Sequence, residues 1–248
     1  MSINTDALVL RVSDVGESDK VLTLLTADYG VIHAFANRAK KMNNKMQAAT
    51  QSLCYGEFSI YSGKNSYIIN QATVKEVFFG LRKDIEMLAL AQYFCSLAYD
   101  LIPEGEPAPQ SLRVILNSLS FLQSGRRTPQ FLKAVTELKL ISLAGYLPDL
   151  SKCSQCGEIP QGEALFNAHS GKLFCKAHRG AGEVLTPGVI TAMRHVSLNP
   201  VDRIYSFSLS KQDEKLFAKV CENYLLSRTG KSYKTLEFYK SFSQENGD

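Results

Sequence analysis

The chain has 248 residues, 45% hydrophobic and 21% charged, and its 28 Lys and Arg against 24 Asp and Glu leave a formal net charge of +4. That composition excludes a collagen-like, mucin-like or largely disordered chain and suits a globular protein of one or two domains. No apolar run approaches the ~20 residues that span a bilayer, and the N-terminal stretch lacks the basic start, apolar segment and small-residue cleavage site of a secretory signal, so a cytoplasmic location is expected.

Strands come first. Ala7–Val12 alternates apolar and polar residues, Val21–Leu25 is nearly all apolar and β-prone, and Val31–Ala36 follows the turn signal Tyr29-Gly30. Leu53–Tyr61 alternates again, Ser62-Gly63-Lys64-Asn65 marks a turn, and Ser66–Val74 is strand-like. Period-two alternation broken by turn residues predicts a small all-β unit. Five strands in about 75 residues is the count of an OB-fold barrel, whose loops and exposed sheet face commonly bind oligonucleotides or oligosaccharides.

Between the third and fourth strands, Asn37 to Thr50 reads NRAKKMNNKMQAAT, with Arg38, Lys40, Lys41 and Lys45 and no acid. Asp6, Asp14, Glu17, Asp19 and Asp28 all precede it, so the region runs from acidic to basic. Such a run is either a solvated connection or a phosphate-contacting loop, where Lys and Arg displace condensed counterions and give sequence-independent affinity. Arg38, Lys40, Lys41 and Lys45 are therefore candidate nucleic-acid contacts, and Arg11 on the first strand extends the set. Aromatic residues interleave with them, and single-strand binders combine a cationic groove with stacking rings. Phe35 and Phe58 are expected in the core. Tyr55, Tyr61 and Tyr67 are open to either role, with Tyr55 and Tyr61 on the face opposite Phe58.

After Arg82 the period changes. Ile85, Leu88, Ala91, Cys95 and Tyr99 recur at helical spacing and predict a helix over Asp84–Ile102, broken by Pro103-Glu104-Gly105-Glu106-Pro107. A second helix is expected over Ser111–Gln123, and a third from Pro129 to about Ala144 with Thr128 as N-cap. Two more are expected over Gly188–Val196 and Gln212–Arg228. The fold class is therefore α+β: an N-terminal five-stranded OB-fold barrel over residues 1–80 and a mainly helical domain over 81–248, with a zinc-ribbon-like finger inserted at about 150–182.

The insert is read from cysteine spacing. Cys153-x-x-Cys156 and Cys175-x-x-His178 stand 18 residues apart, and each pair can form a knuckle aiming two ligands at one ion. Ala164-Leu165-Phe166 and Lys172-Leu173-Phe174 read as a hairpin around the turn Asn167–Gly171. Thiolate and imidazole suit Zn2+ better than Mg2+ or Ca2+, and four good ligands close the site, which points to a structural role. Water or His169 in place of His178 is the alternative fourth ligand. Disulfides do not persist in a reducing cytoplasm, and the H-x-E and P-C-x-x-C pair of nucleobase deaminases is absent. Cys54, Cys95 and Cys221 lie in apolar patterns and are expected as small core residues. P-loop, G-x-G-x-x-G, G-x-S-x-G and H-E-x-x-H motifs are also absent. No catalytic constellation is singled out and a non-enzymatic protein is expected.

Taken in order, these pieces resemble the RecO family of bacterial recombination mediators over the full length. Ala7-Leu8-Val9-Leu10-Arg11, then Gly16-Glu17-Ser18-Asp19-Lys20, is similar to that family's opening strand and turn, and Leu24-Leu25-Thr26 with Tyr29-Gly30 continues it. Leu143-Ala144-Gly145-Tyr146-Leu147-Pro148 before the first knuckle and Lys234-Thr235-Leu236-Glu237-Phe238 near the end complete the resemblance. The family often has Cys where His178 stands. The resemblance implies DNA repair in the cytoplasm and nucleoid: binding of single- and double-stranded DNA, strand annealing, and partnership with RecR in loading RecA onto DNA coated by single-strand binding protein. It also implies binding of that coating protein's acidic C-terminal tail, for which Arg126, Arg127, Lys133 and Lys139 are candidates. The alternatives are a sequence-specific regulator that contacts DNA through its zinc ribbon and, on the metal site alone, a metal hydrolase.

Overall fold

The computed structural model describes residues 2–40, 44–63, 66–178 and 180–243, apart from the side chains of Asn44, Lys45 and Ser243. Five strands, β1 (Ser2–Val15), β2 (Asp19–Thr26), β3 (Gly30–Ala36), β4 (Cys54–Ser62) and β5 (Tyr67–Val77), close into a barrel in the order β1-β2-β3-β5-β4. Neighbours are antiparallel except β3 and β5, which run parallel. Closure gives each strand of the barrel two hydrogen-bonded neighbours.

Alternation decides what fills the barrel. Ala7, Val9, Leu22, Leu24, Ile32, Ala34, Phe58 and Ile60 point inward and are fully buried. The expectation for Phe58 holds and that for Phe35 does not. Ile32, Ala34 and Ala36 take the inner positions of β3, so the period of two turns His33 and Phe35 outward, and Phe35 is 39% exposed. Tyr55 and Tyr61 share the outer face of β4, while Tyr67 packs partly against the barrel core.

Seven helices are present among the described residues: α1 (Asn44–Ala49), α2 (Ile85–Leu101), α3 (Pro109–Ser124), α4 (Pro129–Leu143), α5 (Pro187–Leu198), α6 (Lys211–Thr229) and α7 (Lys234–Ser243). The five expected from periodicity are α2 to α6. α1 lies where the residue pattern predicts only a loop, and α7 is additional. A four-stranded sheet, ordered β6-β8-β7-β9, is made of β6 (Asp149–Cys153), β7 (Ala164–Asn167), β8 (Lys172–Phe174) and β9 (Glu183–Leu185). Among the described residues no helix is long and apolar enough to cross a membrane.

The chain divides into two compact units, residues 1–124 with 234–248, and residues 125–233. In the first, the α2–α3 connection is bonded to the β2–β3 turn: Gly105 N–H donates to Tyr29 O (3.0 Å) and Ala108 N–H to Ala27 O (2.8 Å). Gly30, at φ 63°, makes this approach possible, because a Cβ there would lie 1.9 Å from Pro103 O. Gly30→Ala combines a left-handed backbone cost of about 1–2 kcal/mol with that clash. Thermal unfolding should show the melting temperature falling by at least about 4 °C; an unchanged midpoint would show that the connection moves away freely. The closing helix α7 joins the same unit through Thr235 Oγ1, which donates to Ser96 Oγ on α2 (3.1 Å).

The second unit packs α4, α5 and α6 against one another, with the small sheet against α5. The Thr128 hydroxyl accepts the Phe131 N–H (3.1 Å), capping α4 where Pro129 begins it. The expected hairpin forms from β7 and β8, with Gly171 at φ 70° closing the turn. A Cβ on Gly171 would meet the ring of Tyr224 on α6 at 3.0–3.4 Å, and Phe166 packs edge-on to the same ring (5.5 Å). Arg194 of α5 donates to Leu150 O (2.7 Å) and so ties β6 to the helices.

Candidate metal centre and nucleic-acid interface

Cys153 ends β6, and the turn Ser154–Gly157 brings Cys156 back toward it, with Gly157 N–H donating to Cys153 O (2.9 Å). Gly157 takes the left-handed φ of 78° that this knuckle needs. Cys175 follows β8, and a single 3-10 turn over Lys176–His178 presents the imidazole, with His178 N–H donating to Cys175 O (3.0 Å). The four ligand atoms lie within 4.8 Å of one another. His178 Nδ1 is 3.2 Å from Cys175 Sγ and 3.8 Å from Cys153 Sγ, and the Cys156 and Cys175 sulfurs are 3.9 Å apart.

These separations test what the cluster can hold. Metal bonds of about 2.3 Å to sulfur and 2.0–2.1 Å to nitrogen put the edges of a tetrahedron at roughly 3.5–3.8 Å, so one ion can reach all four ligands. The sulfur separation of 3.9 Å is nearly twice a disulfide bond of about 2.04 Å. Backbone N–H groups of Cys156 and Cys175 directed at its sulfur pull the Cys153 thiol down to about 6, which favours the thiolate that binds metal. The cluster can therefore hold a metal ion. His169 sits elsewhere, with Nδ1 3.5 Å from Ser227 Oγ and its carbonyl accepting from Arg228 (3.0 Å). Cys54, Cys95 and Cys221 are buried in their cores. Desolvation pushes Cys54 up to about 11 and Cys95 up to about 12, and raises Cys221 as well, so these thiols stay protonated.

On the barrel, Arg11 is exposed on the outer face of β1, opposite Thr23 of β2. Arg38 and Lys40 are exposed in the turn after β3, Arg38 at φ 54°. Lys41 lies outside the described residues, as does the side chain of Lys45, whose backbone belongs to α1. The fold brings acids to this loop that its sequence lacks. Asp19 Oδ1 accepts the Arg38 backbone N–H (2.7 Å), and Asp14 pairs with Lys40 (3.2 Å). Both carboxylates come from the β1–β2 hairpin, so the acidic-to-basic polarity of the chain folds back on itself. The Lys40–Asp14 pair is solvent-exposed and contributes at most about 1 kcal/mol, so a phosphate can compete for the lysine. On the neighbouring face, Tyr55 donates to Asp6 (2.9 Å), which also pairs with Lys75. Tyr55 is thus engaged in a polar network.

The four candidate contacts for an acidic tail fare differently. Lys133 is buried, 5% exposed, between Glu137 (3.0 Å) and Glu222 (2.7 Å). Lys139 is buried and donates to Ser197 O (3.2 Å) and Asn199 O (2.8 Å). Arg127 donates to Phe207 O (2.9 Å) and Tyr205 O and stacks on Phe131. All three bond within the second unit, where Lys133 and Lys139 are buried and Arg127 is half-buried, while Arg126 is exposed. The Lys133–Glu137 spacing is readable along one helix, but Glu222 lies on α6, and nothing in the local pattern points to it.

Comparison with known proteins covers nearly the whole chain. Residues 1–78 match the family model described as recombination protein O N terminal, and residues 82–237 match the one described as recombination protein O C terminal. A DNA repair protein RecO of Acetivibrio thermocellus is 30% identical over 246 residues, 98% of each chain. One of Symbiobacterium thermophilum is 30% identical over 241 residues, 95% of each chain. One of Dehalococcoides mccartyi is 28% identical over 211 residues, 84% of this chain and 83% of its own.

Proposed function

The chain belongs to the recombination protein O family of DNA repair proteins, and from that premise we propose that it acts as a recombination mediator. It binds single- and double-stranded DNA, anneals complementary strands and, with RecR, helps load RecA onto DNA coated by single-strand binding protein. In this reading residues 1–80 are an OB-fold nucleic-acid-binding domain. Residues 81–248 are a helical domain whose finger, at about 150–182, is held by Zn2+ on Cys153, Cys156, Cys175 and His178. The observation that carries the DNA contact is the exposed basic turn at Arg38 and Lys40, held at the end of a closed barrel with Arg11 on its outer face.

The mechanism needs no nucleotide hydrolysis. Neutralising the phosphates of two strands removes the repulsion between them and raises the chance that they pair. Lys41 and Lys45 add to Arg38 and Lys40 along the same segment, and Arg126 offers a contact for the acidic tail of the coating protein.

Binding of a single-stranded oligonucleotide across a range of salt concentrations tests this reading. Replacing Arg38, Lys40, Lys41 and Lys45 by Ala should reduce the slope of log affinity against log salt by about 0.7 for each phosphate that is no longer neutralised. Asp14→Asn should act the other way and raise affinity up to about fivefold, since it releases Lys40 from a surface ion pair. An unchanged slope in the fourfold variant would remove this loop from the DNA interface.

A further inference from the structure

A row of apolar side chains crosses the outside of the barrel. Strand register places Val21 opposite Phe35, Phe35 opposite Ile68, and Ile68 opposite Tyr61. The inner positions on either side belong to core residues such as Leu22, Ala34, Ile60 and Ile69, so all four side chains of the row point outward. At a strand spacing of about 4.8 Å the row is roughly 14 Å long. Phe35 is 39% and Tyr61 48% exposed, and Val21 and Ile68 are half-buried between them. The next outer row is already covered: Thr23 Oγ1 is 3.3 Å from His33 Nδ1, and Tyr99 of α2 packs edge-on against that imidazole (6.0 Å).

We propose that Val21, Phe35, Ile68 and Tyr61 form a base-stacking platform for single-stranded nucleic acid. This deepens the DNA-binding reading above and rests on it. Two features select the occupant. The row is flanked by cations, with Arg11 one outer row away on β1 and Arg38 three residues beyond Phe35 on the same chain. A polyanion with flat apolar bases complements that combination, since every base offers a face to an aromatic ring. A row of four side chains is also far smaller than the roughly 20–30 residues a side of a stable protein–protein interface. Unstacked bases lie on the row while the phosphates run toward Arg11 and Arg38. A duplex, whose bases are paired and stacked internally, has no faces to offer.

The experiment compares the wild type with Phe35→Ala/Tyr61→Ala on a single-stranded thymidine oligonucleotide, an abasic oligonucleotide of equal length and a blunt duplex, each over a range of salt. The double variant should bind the base-bearing strand about tenfold more weakly, and the abasic strand and duplex as before. Its salt slope should be unchanged, because stacking releases no counterions. Phe35→Tyr/Tyr61→Phe should keep wild-type affinity. Should the double variant fail to fold by circular dichroism, Tyr61→Ala alone supplies the comparison. Wild-type affinity retained in the variant, or an equal weakening on the abasic strand, overturns the platform and leaves the DNA-binding reading standing. A wild type that binds none of the three overturns both. Loss of self-association in sedimentation with oligonucleotide affinity unchanged would assign the row to a second copy of the chain and overturn the proposal.

Discussion

Cys153→Ser is expected to empty the finger of its ion and unfold it. The sulfur is buried, accepts backbone N–H groups from Cys156 and Cys175, and lies 3.8 Å from His178 Nδ1. The loops that carry the other three ligands have little apolar surface of their own to hold them in place. The free energy of a structural zinc site, about 10–16 kcal/mol in small peptides at neutral pH, is folding free energy, so removing one of four ligands should cost several kcal/mol locally. Metal analysis of wild-type protein purified without chelator should find about one zinc per chain, and the variant close to none. Limited proteolysis should then cut between Cys156 and Cys175 in the variant and in chelator-treated wild type. Added Zn2+ should protect the latter again, and Mg2+ should not. Wild-type protein without bound metal would refute the assignment. With four side-chain ligands on one ion, no coordination position is left for a substrate, which sets this reading against a metal hydrolase.

Lys133→Ala should strongly destabilise the second unit. It would remove the ammonium that Glu137 and Glu222 both face, and Glu137 is fully buried and Glu222 only 12% exposed. Breaking a buried ion pair from one side costs about 3–5 kcal/mol, and chemical denaturation should register a loss of that size. Replacing all three residues together by apolar side chains of similar volume should recover most of it, because the cost of burying their charges goes with the charges. The pH dependence carries a sign. Burial alone would lower the Lys133 ammonium, but Glu137 and Glu222 outweigh that and hold it above the ordinary lysine range. Its stabilisation is therefore fully present below the unfolded lysine value of about 10.4 and is lost as pH rises through the higher folded value. Wild-type stability should fall in that alkaline window, and Lys133→Met should lack this component. Equal pH profiles would show that the lysine is not the charged centre of the cluster.

The elements legible from residues alone are those with a clean period or a closed local geometry. The barrel strands alternate, and α2 to α6 repeat at helical spacing between proline, glycine and capping residues. The two knuckles depend on neighbours three positions apart and on one hairpin, so Cys153, Cys156, Cys175 and His178 can be grouped from their spacing. The segments that escape are short or polar. β6 and β9 have five and three residues, α1 reads as part of a polar loop, and α7 surfaces only within a family motif. Phe35 reads as a core residue because its ring is as apolar as the inner Ile32, Ala34 and Ala36, although His33 two positions earlier marks the outer side of the strand.

Charge behaves differently. By itself the chain determined that it has a barrel-like strand block, a mainly helical remainder, a cluster of three cysteines and one histidine with metal-ligand spacing, and one acid-free basic segment. Only the tertiary structure decided which charges are available. It set Asp14 beside Lys40 and Asp19 beside Arg38, sealed Lys133 between two glutamates on different helices, and tied Lys139 and Arg127 to backbone carbonyls. It also joined Val21, Phe35, Ile68 and Tyr61 into one exposed row from four different strands. Periodicity and ligand spacing are set by neighbours along the backbone. Neutralisation and exposure depend on which distant segments share a surface, and strand register and helix packing alone determine that.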